Sequence, residues 1–391
     1  MKPRAGLCWL TLTCLIVSGC TAGSESLPDA AQAPVSPSAS PEIHQHGGRI
    51  YDAELLSPSR GWVLLAGGLW VTQDGGQSWN DITPPRLARN LYTKVYFLNA
   101  RSGWVAGRSR GLPRNVSVFR TDDGGESWRR SAIRGSIPDP ATPGPPSLFF
   151  TDAKHGWDHQ DTGSHSGFYK GIIFRTTDGG RSWRALDVPY PAGGIGLPDE
   201  FMFVDAQRGW LPATEGLYAT TDGGSAWSKQ SARPPGARPG SIQYASAPVA
   251  AGKSLILPVA FRQRGKVRYS EAFFVSPDLG ATWELAGITP DSFRCRNVPY
   301  QVEVLGRGSW IVVCDSELIR TTNSGHTWRT LDGGGLPADF FAPSLSFADL
   351  RHGWIAANYS GCRSFKSDCY TIQELYATSD GGDTWKRELA H

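Results

Sequence analysis

The sequence of 391 residues is poor in the residues on which long helices and highly charged surfaces depend. Only 2 residues are methionine and 19% are charged, whereas 46 are glycine and 28 are proline. This composition excludes coiled coils, helical bundles and charged disordered tails. After the first twenty residues no helical periodicity is evident, and strand-like segments separated by turn residues dominate. We therefore predict an all-β protein.

An excess of charge of one sign is also absent. The chain has 39 Lys and Arg residues against 36 Asp and Glu residues, and its formal net charge is +3. Removing Lys2 and Arg4, which lie in a segment that we predict to be cleaved off, leaves 37 basic residues against 36 acidic ones. A balance so close to zero argues against nucleic acid as the partner.

The start of the chain has the order of a secretory signal. Two positive charges precede an apolar stretch, 7–17, that is too short to span a bilayer. The following Val17-Ser18-Gly19-Cys20 resembles the bacterial lipobox, in which the cysteine is lipidated and becomes the first residue of the mature chain. We predict a lipoprotein signal peptide at 1–19 and lipid attachment at Cys20, on the cell membrane or outer membrane and outside the cytoplasm. The alternative is an ordinary signal peptide with an incidental cysteine.

Residues 20–47 are rich in Ala, Ser and Pro and contain few apolar side chains. Such a segment cannot bury enough apolar surface to offset the entropy that ordering would cost. We predict that it is a disordered tether between the lipidated cysteine and a folded domain at 48–391.

One octapeptide of the type Thr-x-Asp-Gly-Gly-x-Ser-Trp recurs along this domain. Its central residues are Asp74, Asp123, Asp178, Asp222, Asp278, Asn323 and Asp380. The mean spacing of 51 residues fits one four-stranded blade per repeat. Asp-Gly-Gly favours a hairpin turn, because glycine tolerates positive φ and the carboxylate accepts backbone N–H groups.

A second pattern precedes most of these octapeptides and ends in Gly-Trp, with which we expect the second strand of each blade to begin. Five tryptophans keep the regular spacing of this pattern: Trp62, Trp104, Trp157, Trp210 and Trp354. The fifth repeat lacks the pattern, and the sixth keeps only Gly308-Ser309-Trp310. Twelve of the 15 tryptophans belong to the two patterns, so we expect them in the blade core rather than on sugar-stacking platforms.

The octapeptide resembles the Asp-box, or BNR, repeat of sialidases, sortilin-type receptors and xyloglucan hydrolases. Together with the Gly-Trp pattern it most resembles the seven-bladed propellers of the photosystem II assembly factor type. This resemblance covers about 48–391 and implies a seven-bladed β-propeller of four-stranded antiparallel blades. It also implies that the Asp boxes are structural turns at the blade periphery. Fold alone does not determine activity, so the resemblance leaves the function open.

Four cysteines remain after Cys20, an even number that suits an oxidising compartment. We predict disulfides between Cys295 and Cys314 and between Cys362 and Cys369, each across neighbouring strands of one hairpin. Three pairings are formally possible. A metal site is less favoured, because neither a Cys-x-x-Cys motif nor a nearby histidine supplies further ligands.

Arginines are the candidate binding residues, because guanidinium groups make bidentate contacts with anions. The segment from Arg101 to Arg134 contains eight arginines and only three acidic residues. A second cluster of basic residues lies in the fifth repeat. The candidates are Arg101, Arg108, Arg110, Arg114, Arg262 and Arg264. A solvated blade edge is the alternative. We predict a monomeric, membrane-anchored binding or assembly module for an envelope protein or anionic glycan, without catalytic residues, metal or cofactor.

The main alternative is a sialidase-like glycoside hydrolase. The resemblance would then imply three arginines around the propeller axis and a tyrosine activated by a glutamate. Arg49-Ile50-Tyr51 occupies the place of the Arg-Ile-Pro motif but lacks the proline. The sequence does not allow the other two arginines or the Tyr–Glu pair to be assigned. Sialidases also have six repeats rather than seven.

Two polar clusters have a structural interpretation. His155, Asp158, His159, Asp161 and His165 are of metal-ligand type, but their spacing matches no strong signature. We interpret their segment as a solvated loop. Likewise, Gly193-Gly194-Ile195-Gly196 is followed by no helix and predicts a turn between blades rather than a phosphate-binding loop.

Overall fold

A computed structural model gives the structure of the chain. It describes residues 49–87, 93–109, 112–134, 147–165, 168–186, 201–213, 216–237, 244–293, 295–296, 301–364 and 367–390. Seven separate antiparallel sheets account for all the strands in these segments. The prediction of an all-β, seven-bladed propeller is therefore confirmed. None of the described segments is a helix of the length and apolarity needed to cross a membrane.

The strands follow one another blade by blade. Blades 1 and 2 contain β1 Ile50–Leu55, β2 Gly61–Leu65, β3 Gly68–Thr72, β4 Asn80–Asp81, β5 Thr93–Phe97, β6 Gly103–Ser109, β7 Leu112–Thr121 and β8 Arg129–Ile133. Blades 3 and 4 contain β9 Ser147–Phe150, β10 Gly156–His165, β11 Phe168–Thr176, β12 Arg184–Ala185, β13 Met202–Phe203, β14 Gly209–Ala213, β15 Gly216–Thr220 and β16 Ser228–Gln230.

The last three blades complete the series. Blade 5 contains β17 Tyr244–Ala245, β18 Val249–Ala251, β19 Ser254–Arg262, β20 Tyr269–Ser276 and β21 Glu284–Ile288. Blades 6 and 7 contain β22 Gln301–Gly306, β23 Ser309–Cys314, β24 Glu317–Thr321, β25 Arg329–Leu331, β26 Phe341–Phe347, β27 Gly353–Ser364, β28 Ser367–Thr378 and β29 Lys386–Ala390. Blade 5 has a fifth strand because its innermost strand is interrupted, and both pieces pair with β19.

Each blade is a meander, and its first strand is innermost in the ring, where for example β26 contacts both β1 and β22. The register defines two faces. The turn between the first and second strands and the Asp box lie at the same end of the blade. In blade 2, for example, Gly103 at the start of β6 pairs with Thr121 at the end of β7. We call this end the Asp-box face. The hairpin between the second and third strands lies at the other end, the hairpin face, where Ser109 pairs with Leu112.

The Gly-Trp pattern is explained by packing between blades. A Cβ atom on Gly156 would lie 2.4 Å from the ring of Phe150, so only glycine fits beneath that ring. The other side of the Phe150 ring stacks on Trp104 of the preceding blade, with centroids 3.8 Å apart. Trp157 and Phe203 repeat this stack at 3.7 Å. The buried tryptophans of this layer are Trp62, Trp104, Trp157, Trp210, Trp310 and Trp354.

Polar contacts add a second connection between blades. The indole N–H of Trp104 donates to the carbonyl of Gly179, in the Asp box of the next blade, at 3.0 Å. The guanidinium of Arg120 lies 5.3 Å from the Trp104 ring and donates to the Ala153 carbonyl at 2.8 Å. Arg175 makes the same kind of contact from blade 3 to blade 4. We call this arrangement the arginine clamp.

The ring closes by contact between blades 7 and 1. Each of these blades consists of consecutive strands, so the chain ends do not exchange a strand. Ser344 Oγ donates to the Ala53 carbonyl at 2.8 Å, and the N–H of Leu55 donates to Ser346 Oγ at 3.1 Å. Closure therefore depends on side chains rather than on a shared sheet.

Candidate binding surface

The Asp boxes use their own polar groups within each turn. In blade 3, the Asp178 carboxylate accepts hydrogen bonds from the Thr176 hydroxyl at 2.8 Å and from the hydroxyl and N–H of Ser182 at 2.6 and 3.0 Å. Thr176 Oγ1 in turn accepts from the N–H of Gly180 at 2.9 Å. The boxes centred on Asp74, Asp123, Asp222, Asp278, Asn323 and Asp380 have corresponding bonds.

These bonds also stabilise the ionised form of the aspartates in the boxes, as Asp278 shows. Hydrogen bonds from the hydroxyl and N–H of Thr282 and from the Ser276 hydroxyl lower the pKa of Asp278 to about 2. A carboxylate that stays ionised and accepts bonds from its own turn is poorly suited to donate a proton to a substrate. The geometry supports a structural rather than a chemical role for the boxes.

The candidate arginines are divided between the two faces. Arg101 is exposed in the turn before β6, on the Asp-box face. Arg108 and Arg114 lie on β6 and β7 toward the hairpin face. The strand from Gly103 to Arg108 spans about 17 Å at 3.3 Å per residue. The side chains of Arg108 and Arg114, and the whole of Arg110, lie outside the described residues.

Several other arginines of the 101–134 segment have local partners. Arg120 and Arg129 both form ion pairs with Asp122. Arg130 donates to Ser117 Oγ at 2.8 Å. The excess of arginines along the sequence therefore does not correspond to one continuous basic surface.

The basic residues of blade 5 lie on the hairpin face. Arg262, at the end of β19, pairs with Tyr269 across the hairpin, and its guanidinium lies 4.4 Å from the Tyr269 ring centroid. The ring of Tyr244 lies 6.0 Å from that of Tyr269. Arg264 follows in the exposed turn. The tyrosines were missed from the sequence; for Tyr269 the available signal was an aromatic residue beside an arginine at each end of the hairpin, in Phe261-Arg262 and Arg268-Tyr269.

A disulfide joins Cys295 to Cys314. The pairing agrees with the expectation, but the expected geometry was wrong, because the two residues do not lie on one hairpin. Cys295 forms a bridge with Tyr269 of blade 5, whereas Cys314 ends β23 of blade 6. The disulfide thus links two blades. Cys362 lies directly opposite Cys369 on β27 and β28, and their side chains are outside the described part.

Two glutamates on innermost strands were not identified from the sequence. Burial and the nearby Asp52 raise the pKa of Glu54 to about 7, and Glu54 accepts a hydrogen bond from the Trp62 indole at 3.0 Å. Burial raises the pKa of Glu303 to about 8, to which the nearby Glu54 adds, and its carboxyl accepts from the N–H of Phe347 at 3.0 Å. A carboxyl in a segment of apolar residues, as in Val302-Glu303-Val304, was the only signal.

A Tyr–Glu arrangement exists in blade 7, away from the innermost strands. The Glu374 carboxylate accepts hydrogen bonds from the hydroxyls of Tyr359 and Tyr376 and from Arg387. These residues lie on β27, β28 and β29, not on β26. Arg49 lies directly before β1, on the hairpin face. The described residues thus place this Tyr–Glu group and Arg49 on different blades.

The interpretation of the histidine cluster as a solvated loop was wrong. Residues 156–165 form β10, and Asp158 and His159 are fully buried in it. His155 precedes the strand and contacts Asp152 at 2.8 Å. No group of three or more potential ligands in the described segments could hold a metal ion. The side chains of Asp161 and His165, and residues 193–196, lie outside those segments.

Comparisons with known proteins agree with this architecture. The model of a family described as photosynthesis system II assembly factor YCF48 matches residues 42–196. The photosystem II assembly lipoprotein Ycf48 of Synechococcus sp. (strain CC9902) is 28% identical over 137 residues, 34% of this chain and 35% of that protein. The structure of YCF48 bound to D1 peptide superposes with a TM-score of 0.51 at 19% identity, covering 79% of this chain and 90% of that chain.

The chain is a seven-bladed propeller that resembles the photosystem II assembly factors. It also resembles a xyloglucanase of Paenibacillus sp., with 23% identity over 317 residues, 72% of this chain and 29% of the enzyme. The matches span about a third of the length of each of these two sequence relatives.

Proposed function

We propose that the chain is an extracytoplasmic, membrane-anchored binding or assembly module whose hairpin face holds a segment of an envelope protein. The observation that carries this proposal is the position of the basic group of blade 5. It lies on the face from which the longest hairpins extend, those of blades 2, 3, 5 and 7. The similarity to a YCF48 whose structure contains a bound D1 peptide supports a protein partner.

The membrane anchor is part of the proposal. The lipobox-like Val17-Ser18-Gly19-Cys20 and the tether at 20–47 support it, as does the similarity to a protein named an assembly lipoprotein. Mass spectrometry of the mature protein is expected to find acyl chains on an N-terminal Cys20. Cys20→Ala is expected to prevent acylation and to release the protein from membranes.

Affinity capture from the native host membrane tests the binding face. The double substitution Arg262→Glu and Arg264→Glu reverses charge on the hairpin face and is expected to abolish recovery of one specific envelope protein. Lys253→Glu is the matched control, because Lys253 is exposed at the opposite end of β19. Equal recovery by wild type and all variants would contradict a basic binding face.

A glycoside hydrolase is the second candidate, favoured by the similarity to a xyloglucanase and by the Tyr–Glu group of blade 7. The enclosed position of Glu374, which is only 3% exposed, argues against substrate contact. Screening against sialosides and xyloglucan separates the two candidates. Turnover that disappears in Arg49→Ala or Glu374→Gln would overturn the binding-module proposal.

A further inference from the structure

The turn between β19 and β20 contains the most exposed large apolar side chain of the described residues. Val267 is 83% exposed, whereas the other exposed large apolar side chains range from 36% to 48%. The residues beside it, Arg264, Lys266 and Arg268, are exposed and basic. We call residues 263–268 the blade-5 tip. It combines one apolar side chain with three cations and contains no acidic residue.

The blade-5 tip is held in a defined shape. The N–H of Lys266 donates to the Gln263 carbonyl at 3.0 Å and closes a β-turn. Gly265, the third residue of that turn, has a φ of 77°, which a type II turn requires at this position. The N–H of Arg264 donates to the Gly236 carbonyl at 3.1 Å, which fixes the tip to the preceding part of the chain.

The base of the same hairpin is also braced. Tyr269 exchanges two backbone hydrogen bonds with Cys295, at 2.8 and 3.1 Å, and Cys295 is joined to blade 6 by its disulfide with Cys314. The guanidinium of Arg262 covers the Tyr269 ring. Because its base is fixed on both sides, the backbone of the tip loses little conformational entropy on binding.

The tip lies on the face at which the described chain begins. Ile50 pairs with Leu65, next to the hairpin between β2 and β3, so the chain enters β1 at the hairpin face. The predicted tether of 28 residues between Cys20 and residue 47 would join the propeller there. A disordered chain of that length would have an end-to-end distance of about 30 Å, enough to keep a membrane within reach of that face.

We propose that the blade-5 tip contacts the anionic lipid surface of the membrane to which the chain is anchored. This inference rests on the anchor in the proposed function. Val267 enters the headgroup region, while Lys266 binds a lipid phosphate, and Arg264 is left to the protein partner of the proposed function. A convex turn with one apolar side chain and no acidic residue among 263–268 fits a plane of phosphate groups. The contact would orient the ring with its hairpin face toward the membrane.

The test uses the full-length protein reconstituted in vesicles that contain a photoactivatable phosphatidylglycerol, with phosphatidylcholine vesicles as reference. Cross-linked lipid is mapped by mass spectrometry of peptides that cover 262–269. We expect cross-links at the tip, and a fall of at least about tenfold in Lys266→Glu/Val267→Ser, because the substitutions replace an attractive charge by a repulsive one and remove the apolar side chain. Lys253→Glu, at the other end of β19, is expected to retain them.

The outcomes separate the tip from the anchor. Cross-links near Cys20 without any at the tip, or tip cross-links unaffected by the double substitution, would overturn the membrane contact and leave the anchor intact. A chain without acyl groups on Cys20 would contradict the anchor, and the inference would fail with it. Binding of the tip to an acidic peptide but not to anionic vesicles would show that its partner is a protein instead. Thermal unfolding of each variant checks that the fold is unchanged.

Discussion

At the scale of single residues, the ionisation of Glu303 depends on what surrounds it. An exposed glutamate has a pKa near 4.5, whereas burial beside Phe347 raises that of Glu303 to about 8. The carboxyl therefore carries a proton in the folded protein at pH values where it is ionised in the unfolded chain. Glu54 has the same property to a smaller degree, with a pKa of about 7.

The two raised pKa values predict that the protein loses stability as the pH rises from about 5 to 8. Over this range the unfolded chain loses the protons that the folded protein retains, so the unfolded state is favoured increasingly. Glu303→Gln keeps an acceptor for the N–H of Phe347 and is expected to stabilise the fold at pH 8 by on the order of 3 kcal/mol. At pH 5 its effect should be small. Urea unfolding at both pH values measures the difference.

Glu317→Gln provides the control for this experiment, because Glu317 lies exposed on β24 of the same blade. It is expected to leave the pH dependence as in the wild type. If Glu303→Gln and wild type lost stability equally between pH 5 and pH 8, the buried carboxyl would not be responsible for the loss.

At the scale of strands and turns, the clamp residue stands directly before the Asp box. Arg120, Arg175 and Arg320 occupy this position in blades 2, 3 and 6, and each donates to the next blade. The box itself was predictable, because its turn is specified by local residue types. The clamp was not, since its acceptor carbonyls belong to another repeat and no property of the sequence identifies them.

Removing one clamp is expected to destabilise the boundary between two blades. Arg175 donates to the Ala206 carbonyl at 2.7 Å and lies 5.7 Å from the Trp157 ring. Arg175→Ala should cost about 1.5–3 kcal/mol in the free energy of unfolding, as for other hydrogen bonds from charged groups. Arg184→Ala, at an exposed position of β12, should change it by less than about 0.5 kcal/mol. Equal losses in urea unfolding would show that the clamp has no specific effect.

At the scale of the whole molecule, the boundary between blades 7 and 1 differs from the others because these two blades are not consecutive along the chain. Gln373 accepts a hydrogen bond from the N–H of Ile50 at 2.8 Å, and the rings of Trp79 and Trp354 lie 5.6 Å apart. Among the described residues, contacts that each involve at least one side chain thus hold the ring closed. Opening here requires no change in the connections between the other blades.

We therefore expect the ring to open first at this boundary. Hydrogen exchange should be faster by about an order of magnitude in β1 and β26 than in β9 and β13, since local openings of lower free energy exchange faster. Gln373→Ala should speed exchange at Ile50 further and leave β9 unaffected. Uniform exchange across all the innermost strands would contradict opening at this boundary.

The sequence by itself determined the number of blades, the position of each Asp box and the tryptophan layer. Those features follow from residue types in short repeated segments, where turn chemistry and alternating burial act locally. Only the tertiary structure decided which arginines share a face and that Cys295 and Cys314 join two blades. It also decided that burial raises the pKa of Glu303 and that Glu54, 249 residues away along the chain, adds to this rise. These relations depend on how the blades pack around the ring, and the spacing of residues along the chain does not encode that packing.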